Sequence, residues 1–209
     1  MMRKLISLML LVAAMPSVQA EISYDVFFRA NGVDAIGNTV LEVAPDSIVR
    51  GVEVVLREVT DGEVNQLGDG GGLRTYAIEL NPSDPNLFEN GARNPNFQLS
   101  ATGNDGDTFT AFNFAGGTAG QTVAPNTVEL SLGTVDLVGP TVGQQITFSL
   151  ADFDPANPNF DLASGGSIDS LINFGNTLTL SSVTAIPEPS SFALIGTLGS
   201  VILMRRRRR

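Results

Sequence analysis

The sequence predicts an all-β protein: a single β-sandwich of about nine strands, jelly-roll-like in topology, between an apolar leader and an apolar tail. Three observations predict it. Short runs of alternating apolar and polar residues recur along the chain. Clusters of Gly, Pro, Asn and Asp separate them. Helical periodicity between those clusters is weak, which leaves strands as the elements that can bury the apolar positions.

The strands follow in order. ISYDVFF puts Ile22, Tyr24, Val26 and Phe28 on one face at period two. NTVLEV (38–43), IVRGVEVVLREV (48–59) and LRTYAIEL (73–80) come next, then FQLSA (97–101) and TFTAFNF (108–114). TVELSLGTVDLV (127–138), QQITFSL (144–150) and NTLTLSSV (176–183) complete the set. The turns between them read DGEVNQLGDGGG, NPSDPN, ATGNDGD, GGTAG and DFDPANPNF, stretches in which Gly, Pro, Asn and Asp supply turn conformations. A short turn of helix is expected near Asn86–Asn90. The sandwich domain is expected to span residues 21–183.

Composition narrows the chemistry. The 209 residues include no Cys, no His and no Trp. The only lysine is Lys4. Between Glu21 and Ile186 lie five arginines (Arg29, Arg50, Arg57, Arg74 and Arg93) and 21 acidic residues, a net charge of −16. Such a surface repels a phosphate backbone, so nucleic acid is excluded as a partner and cations, calcium above all, are favoured. Stability must come from a packed core, because disulfides are impossible. Catalytic triads, thiol nucleophiles and zinc sites built on His and Cys are likewise ruled out by residue type. GDGGG at Gly68–Gly72 lacks the Lys and the helix of a phosphate-binding loop.

Carboxylates remain. A pair of them would serve a glycan hydrolase, and oxygen ligands would serve calcium. The densest group is Asp152, Asp154 and Asp161, with Asn157 and Asn159 between them. It matches a calcium loop only in its first acids, since Ala156 takes a ligand position and the loop Gly and closing Glu are missing. The plainer reading is a turn in which Asp and Asn cap backbone groups. Asn104–Asp107 is a second acidic turn, and Asp69 a weaker one. Phe27, Phe109, Phe112, Phe114, Phe148, Phe153 and Phe160 are available for stacking on sugars. Without Trp, and with only Tyr24 and Tyr76 beside them, core packing is the better expectation for most of these rings.

The two ends carry membrane signals. Arg3 and Lys4 precede an apolar stretch from Leu5 to Ala14, Pro16 breaks it, and Val18-Gln19-Ala20 offers small residues for cleavage after Ala20: a secretory signal peptide. At the other end, Ser190–Met204 is 15 residues without charge. A helix there is about 22 Å long, short for a bilayer but extendable by snorkelling arginines. Arg205, Arg206, Arg207, Arg208 and Arg209 should stay on the cytoplasmic side and set the orientation of this transmembrane helix. Pro187 and Pro189 keep the segment before it extended, with Glu188 exposed between them.

Pro-Glu-Pro, a short apolar helix and a terminal arginine cluster together resemble the PEP-CTERM sorting signal, over about Ala185–Arg209. The resemblance implies recognition of Pro187, Glu188 and Pro189 by an exosortase, a membrane cysteine protease of transpeptidase type. It also implies delivery to the cell surface or the exopolysaccharide matrix of a biofilm. The protein would then be the substrate, not an enzyme. VEVVL, RTYAIEL and LGTVDLVGPTVGQQITFSL further resemble, in their order, cohesin-like and carbohydrate-binding-module-like sandwiches over Ser23–Val183. In cohesins such a sandwich binds a dockerin. No binding residue carries over, because the match lies in core strands. The expected function is therefore a non-enzymatic exported surface or matrix protein. The alternatives are a calcium-dependent carbohydrate- or protein-binding module and, third, a carboxylate-based glycan hydrolase.

Overall fold

The computed structural model describes residues 22–62, 64–82, 87–102 and 107–182. Ala20 and its signal peptide, the Pro187-Glu188-Pro189 motif, the apolar run 190–204 and Arg205–Arg209 lie outside the described residues.

The strands are β1 (Ile22–Ala30), β2 (Val33–Asp34), β3 (Asn38–Val43), β4 (Ile48–Thr60), β5 (Leu73–Pro82), β6 (Phe88–Arg93) and β7 (Leu99–Thr102). They continue as β8 (Thr108–Phe112), β9 (Gln121–Ala124), β10 (Thr127–Val138), β11 (Gln145–Asp152), β12 (Asp161–Leu162), β13 (Ile172–Asn173) and β14 (Thr177–Ser182). The helical content of the described residues is one 3-10 turn, Asp169–Leu171. The first sheet has the order β13-β1-β4-β10-β6, with β2 on β1 and β9 on β10. The second has the order β3-β14-β11-β5-β8-β7, with β12 on β5. Pairing is antiparallel except for β1 with β13 and β3 with β14.

The expected sandwich is present, with more strands than the nine expected. β2, β12 and β13 are two-residue pairings too short to leave a pattern, and β9 is exposed at every position. The helical turn expected near Asn86–Asn90 is corrected: Phe88–Arg93 is a strand on the edge of β10. FENGAR has no alternation of its own, and its conformation comes from β10, whose Gly133 leaves space for the Ala92 carbonyl where a Cβ would stand 2.7 Å from it.

The alternation read in β1 holds. Tyr24, Val26 and Phe28 face the core, where Phe28 meets Phe148 of the opposite sheet edge-to-face with ring centres 6.5 Å apart. Tyr76 packs edge-to-face on Phe97 at 5.0 Å, and its buried hydroxyl donates across the sandwich to the Leu132 carbonyl. The glycine-rich turn after β4 is held from beneath. Glu58 is fully buried, and its carboxylate accepts from the amides of Gln66 and Leu67, each at 2.7 Å, and from the Tyr24 hydroxyl at 3.3 Å. Burial, reinforced by Glu58, pushes the Tyr24 phenol above its ordinary pKa. Gly72 closes the turn at φ +86°, with its α-carbon so near the Thr118 carbonyl that a Cβ would lie 2.2 Å from that oxygen.

Truncating Glu58 strands the buried Leu67 amide, the part-buried Gln66 amide and the Tyr24 hydroxyl. Glu58→Ala should therefore cost about 3 kcal/mol in denaturant unfolding. Glu58→Gln, which keeps one acceptor oxygen, should cost less. Equal stability of wild type and Glu58→Ala would contradict this account of the turn.

Candidate functional site

On the outer face of the first sheet, away from the core, the side chains of β1, β4 and β10 form a charged layer. Arg29 and Phe27 point outward from β1, Glu53, Val55 and Arg57 from β4, and Glu129 from β10. The register places Phe27 opposite Val55, Arg29 opposite Glu53, and Arg57 opposite Glu129. β2 folds back on β1 through Asn31 (φ 52°) and Gly32 (φ 77°), a two-residue turn with both residues left-handed, and so brings Asp34 beside Arg29.

These groups satisfy one another. Arg29 donates through Nε to Asp34 at 2.5 Å and through Nη2 to Glu129 at 2.8 Å, and its guanidinium lies 3.7 Å from Glu53. Arg57 donates to Glu129 at 2.5 Å and also to Asp34. Phe27 is fully buried yet lies outside the core cluster. Its cover is the two guanidiniums, whose carbons lie 4.6 Å (Arg57) and 5.8 Å (Arg29) from the ring centre. Burial pushes the Asp34 carboxyl up, but hydrogen bonds from Arg29 and Arg57 and the charges behind them outweigh it and hold it below its ordinary value of 3.8.

Above this layer runs a groove of about 690 Å³. Its floor includes Arg29, Glu53 and Glu129; one wall is residues 92–96 and the other residues 119–123. The first wall is fixed to β10: Asn94 donates its amide to the Leu132 carbonyl at 3.0 Å and its side-chain NH2 to the Ser131 carbonyl at 2.6 Å. Asn94 also accepts from the Asn96 amide at 2.9 Å. The second wall is tied to the Glu58-held turn, since Gly120 donates to the Leu67 carbonyl at 2.8 Å. Arg93 lines the groove, and among the described residues no carboxylate forms an ion pair with it. Groove and ion layer together thus gather three of the five body arginines: Arg29, Arg57 and Arg93.

The acidic candidates lie elsewhere. At the end of β11, where a loop begins, Asp152 accepts from the Asp154 amide at 3.1 Å and the Asn159 side chain at 2.5 Å. Asp154 accepts from the Ala156 amide at 3.3 Å and the Asn157 side chain at 2.7 Å. Asp161 sits in β12, with its amide on the Thr75 hydroxyl. Asp169, not singled out from the sequence, caps this loop by accepting from the amides of Asn159 and Phe160. Among the described residues no three acidic side chains gather as a metal-binding set. Of the turn Asn104–Asp107, only Asp107 is described, and Asp69 is exposed. Phe109, Phe148 and Phe160 are core, Phe112 and Phe114 form an edge-to-face pair at 5.4 Å, and Phe153 is half-exposed at a distance from the groove.

The groove residues were missed because no motif joins them; strand pairing alone brings 29, 53, 93 and 129 together. One signal was legible: Asn-Gly between Arg29 and Asp34 marks a hairpin that must place those two charges side by side.

No protein-family model matches the sequence. No curated protein matches it either. The chain is similar to one chain of the complex of CaCohA2 with a CaDoc0917 variant at pH 5.5, at 14% identity and a TM-score of 0.41, over 78% of this chain and 100% of that one. It is also similar to one chain of a type I cohesin–dockerin complex from Clostridium thermocellum, at 11% identity and a TM-score of 0.42, over 77% of this chain and 99% of that one.

The Asp34 shift gives a pH test. A carboxyl with a depressed folded-state pKa contributes stability that is complete above the unfolded value, about 3.9, and is lost as pH falls through the folded value. Asp34→Asn should cost about 1–2 kcal/mol at pH 7, discounted for partial exposure. The gap between variant and wild type should narrow as pH falls below about 4, where the Asp34 carboxylate begins to protonate. A gap that does not narrow as the medium is acidified would mean the ion pairs do not contribute to folding.

Proposed function

We propose that this protein is an exported, non-enzymatic binding module whose groove on the first sheet takes an extended, carboxylate-bearing peptide segment of a partner protein. One observation carries the reading. On a body of net charge −16, the groove and the layer beneath it concentrate three of the five arginines, and Arg93 faces the groove with no ion-pair partner among the described residues. A carboxylate from a partner would complete it with a charge-assisted hydrogen bond. Among the described residues no aromatic side chain lines the groove, so they offer no stacking surface of the kind sugar recognition relies on.

The groove's own carboxylates do not favour hydrolysis. Glu129 spends both oxygens on Arg29 and Arg57, which leaves neither to protonate a glycosidic oxygen or to attack a sugar carbon. The loop of Asp152 and Asp154 supports a self-capped turn more than a calcium site, since its oxygens already accept from the loop's own amides.

The terminal signals supply the address in this proposal: a signal peptide cut after Ala20, and a tail processed at Pro187-Glu188-Pro189 by an exosortase, with Arg205–Arg209 on the cytoplasmic side until then. The setting is the cell surface or an exopolysaccharide matrix.

Selection from a phage-displayed random peptide library tests the groove. Recovered peptides should be rich in Asp or Glu, and Arg93→Ala should weaken their binding roughly tenfold, the loss of about 1.4 kcal/mol. Recovery of neutral peptides, or binding indifferent to Arg93→Ala, would contradict the proposal.

A further inference from the structure

The second sheet ends in β3, and among the described residues no strand pairs with its outer side. Other sheet edges are blunted. β13 has two residues and β7 four, and β6 carries a register shift against β10 and Asn90 at φ 51°. β3 has none of these devices. Its six residues, NTVLEV, run regularly alongside β14 in parallel register, without Pro, Gly or Lys.

The backbone shows which groups are open. Thr177 donates its amide to the Gly37 carbonyl at 2.8 Å, and Thr177 is in register with Asn38. In a parallel ladder this phase directs the amide and carbonyl of residues 39, 41 and 43 toward β14. Those of Asn38, Val40 and Glu42 therefore point away from the sheet. Leu41 and Val43 pack against the core, whereas Val40 is 60% exposed.

These open groups are self-complementary. An antiparallel copy centred on Val40 sets Val40 against Val40, and Asn38 against Glu42 on each side. Side chains on opposite positions then share a face, as pleating requires. Each of these pairs would exchange two backbone hydrogen bonds. No acid meets an acid, and the most exposed aliphatic side chain of the strand meets its own copy. The neighbouring β14, TLTLSS, carries no charge, so Glu42 is the one charged residue on these two strands, and this edge meets less of the repulsion that a net charge of −16 imposes on the body.

We infer that the protein forms a two-fold dimer through β3, in which the second sheets of two copies join into one continuous sheet. The first-sheet groove is left free in both copies, so the dimer would present two binding sites and gain avidity for a repetitive partner.

The chain has no cysteine, which gives a direct test on the purified full-length protein. In a hydrogen-bonded antiparallel pair the two α-carbons lie about 5.5 Å apart, within disulfide reach. Val40→Cys should form a disulfide-linked dimer at least tenfold faster under mild oxidation than Val142→Cys, whose position is 57% exposed in the loop before β11. Val40→Pro removes one outward amide and no pairing with β14, so it should sediment as a monomer where the wild type sediments as a dimer. Equal oxidation rates for the two thiol variants, or a wild type that sediments as a monomer throughout, would overturn the inference. The thiol comparison stands even if Val40→Pro fails to fold.

Discussion

Arg57 and Glu129 stand directly opposite each other on the neighbouring strands β4 and β10 of the first sheet, and the guanidinium lies 4.6 Å from the centre of the Phe27 ring. Much of the outer face depends on this arrangement. Phe27 points away from the core yet is fully buried, so an outward-facing aromatic on a sheet is sealed by charged groups instead of a second layer of apolar ones. Arg29 and Asp34 close the same network from β1 and β2. The arginines can be held in place because Arg29 meets carboxylates on three strands and Arg57 on two. The pairing therefore welds β1, β2, β4 and β10 at the level of side chains as well as backbone. Removing one member would leave its partners partly buried and uncompensated, which costs more than the pair contributes net.

The same network explains why the groove has a charged floor. Strand β10 is flanked on one edge by β6 and β9, and the walls that rise there are anchored by backbone and amide bonds to Leu132, Ser131 and Leu67. The floor is rigid because its ions are mutually paired. Arg93 differs in having no such pair among the described residues. The acidic body favours a cation at this place, and Arg93 holds it on the groove wall without a carboxylate of its own to neutralise it among the described residues. Glu58 supports the opposite wall from inside the sandwich, through the turn that Gly120 touches. Groove and core are thereby coupled through one buried carboxylate.

Much of this was readable in the residues. Alternation located the long strands and put Tyr24, Val26 and Phe28 in the core, because a strand with one buried face must write its period into the sequence. β6 could not be read, since FENGAR becomes a strand only by lying on β10. The sequence presents Phe27 only as one of the rings available for stacking or core packing; that it lies outside the core under Arg57, thirty residues away in the chain and adjacent only through pairing, could not be read from the residues. The loop from Asp152 to Asp161 was readable as a turn; that its carboxylates are consumed by Asn157, Asn159 and the loop amides needed the structure. The groove was illegible for the same reason as Phe27: its charges are gathered by register, and register follows from the pairing of whole strands.

The proposed function rests on a folded body being delivered outside the cytoplasm by its two ends. The mass of the mature protein, recovered from the surface or medium of its native host, tests that most directly. The account predicts a species that begins at Glu21 and ends between Pro187 and Ser190, with any added mass confined to its last residue. A species that still carries Arg205–Arg209, or that retains the residues before Glu21, would contradict it.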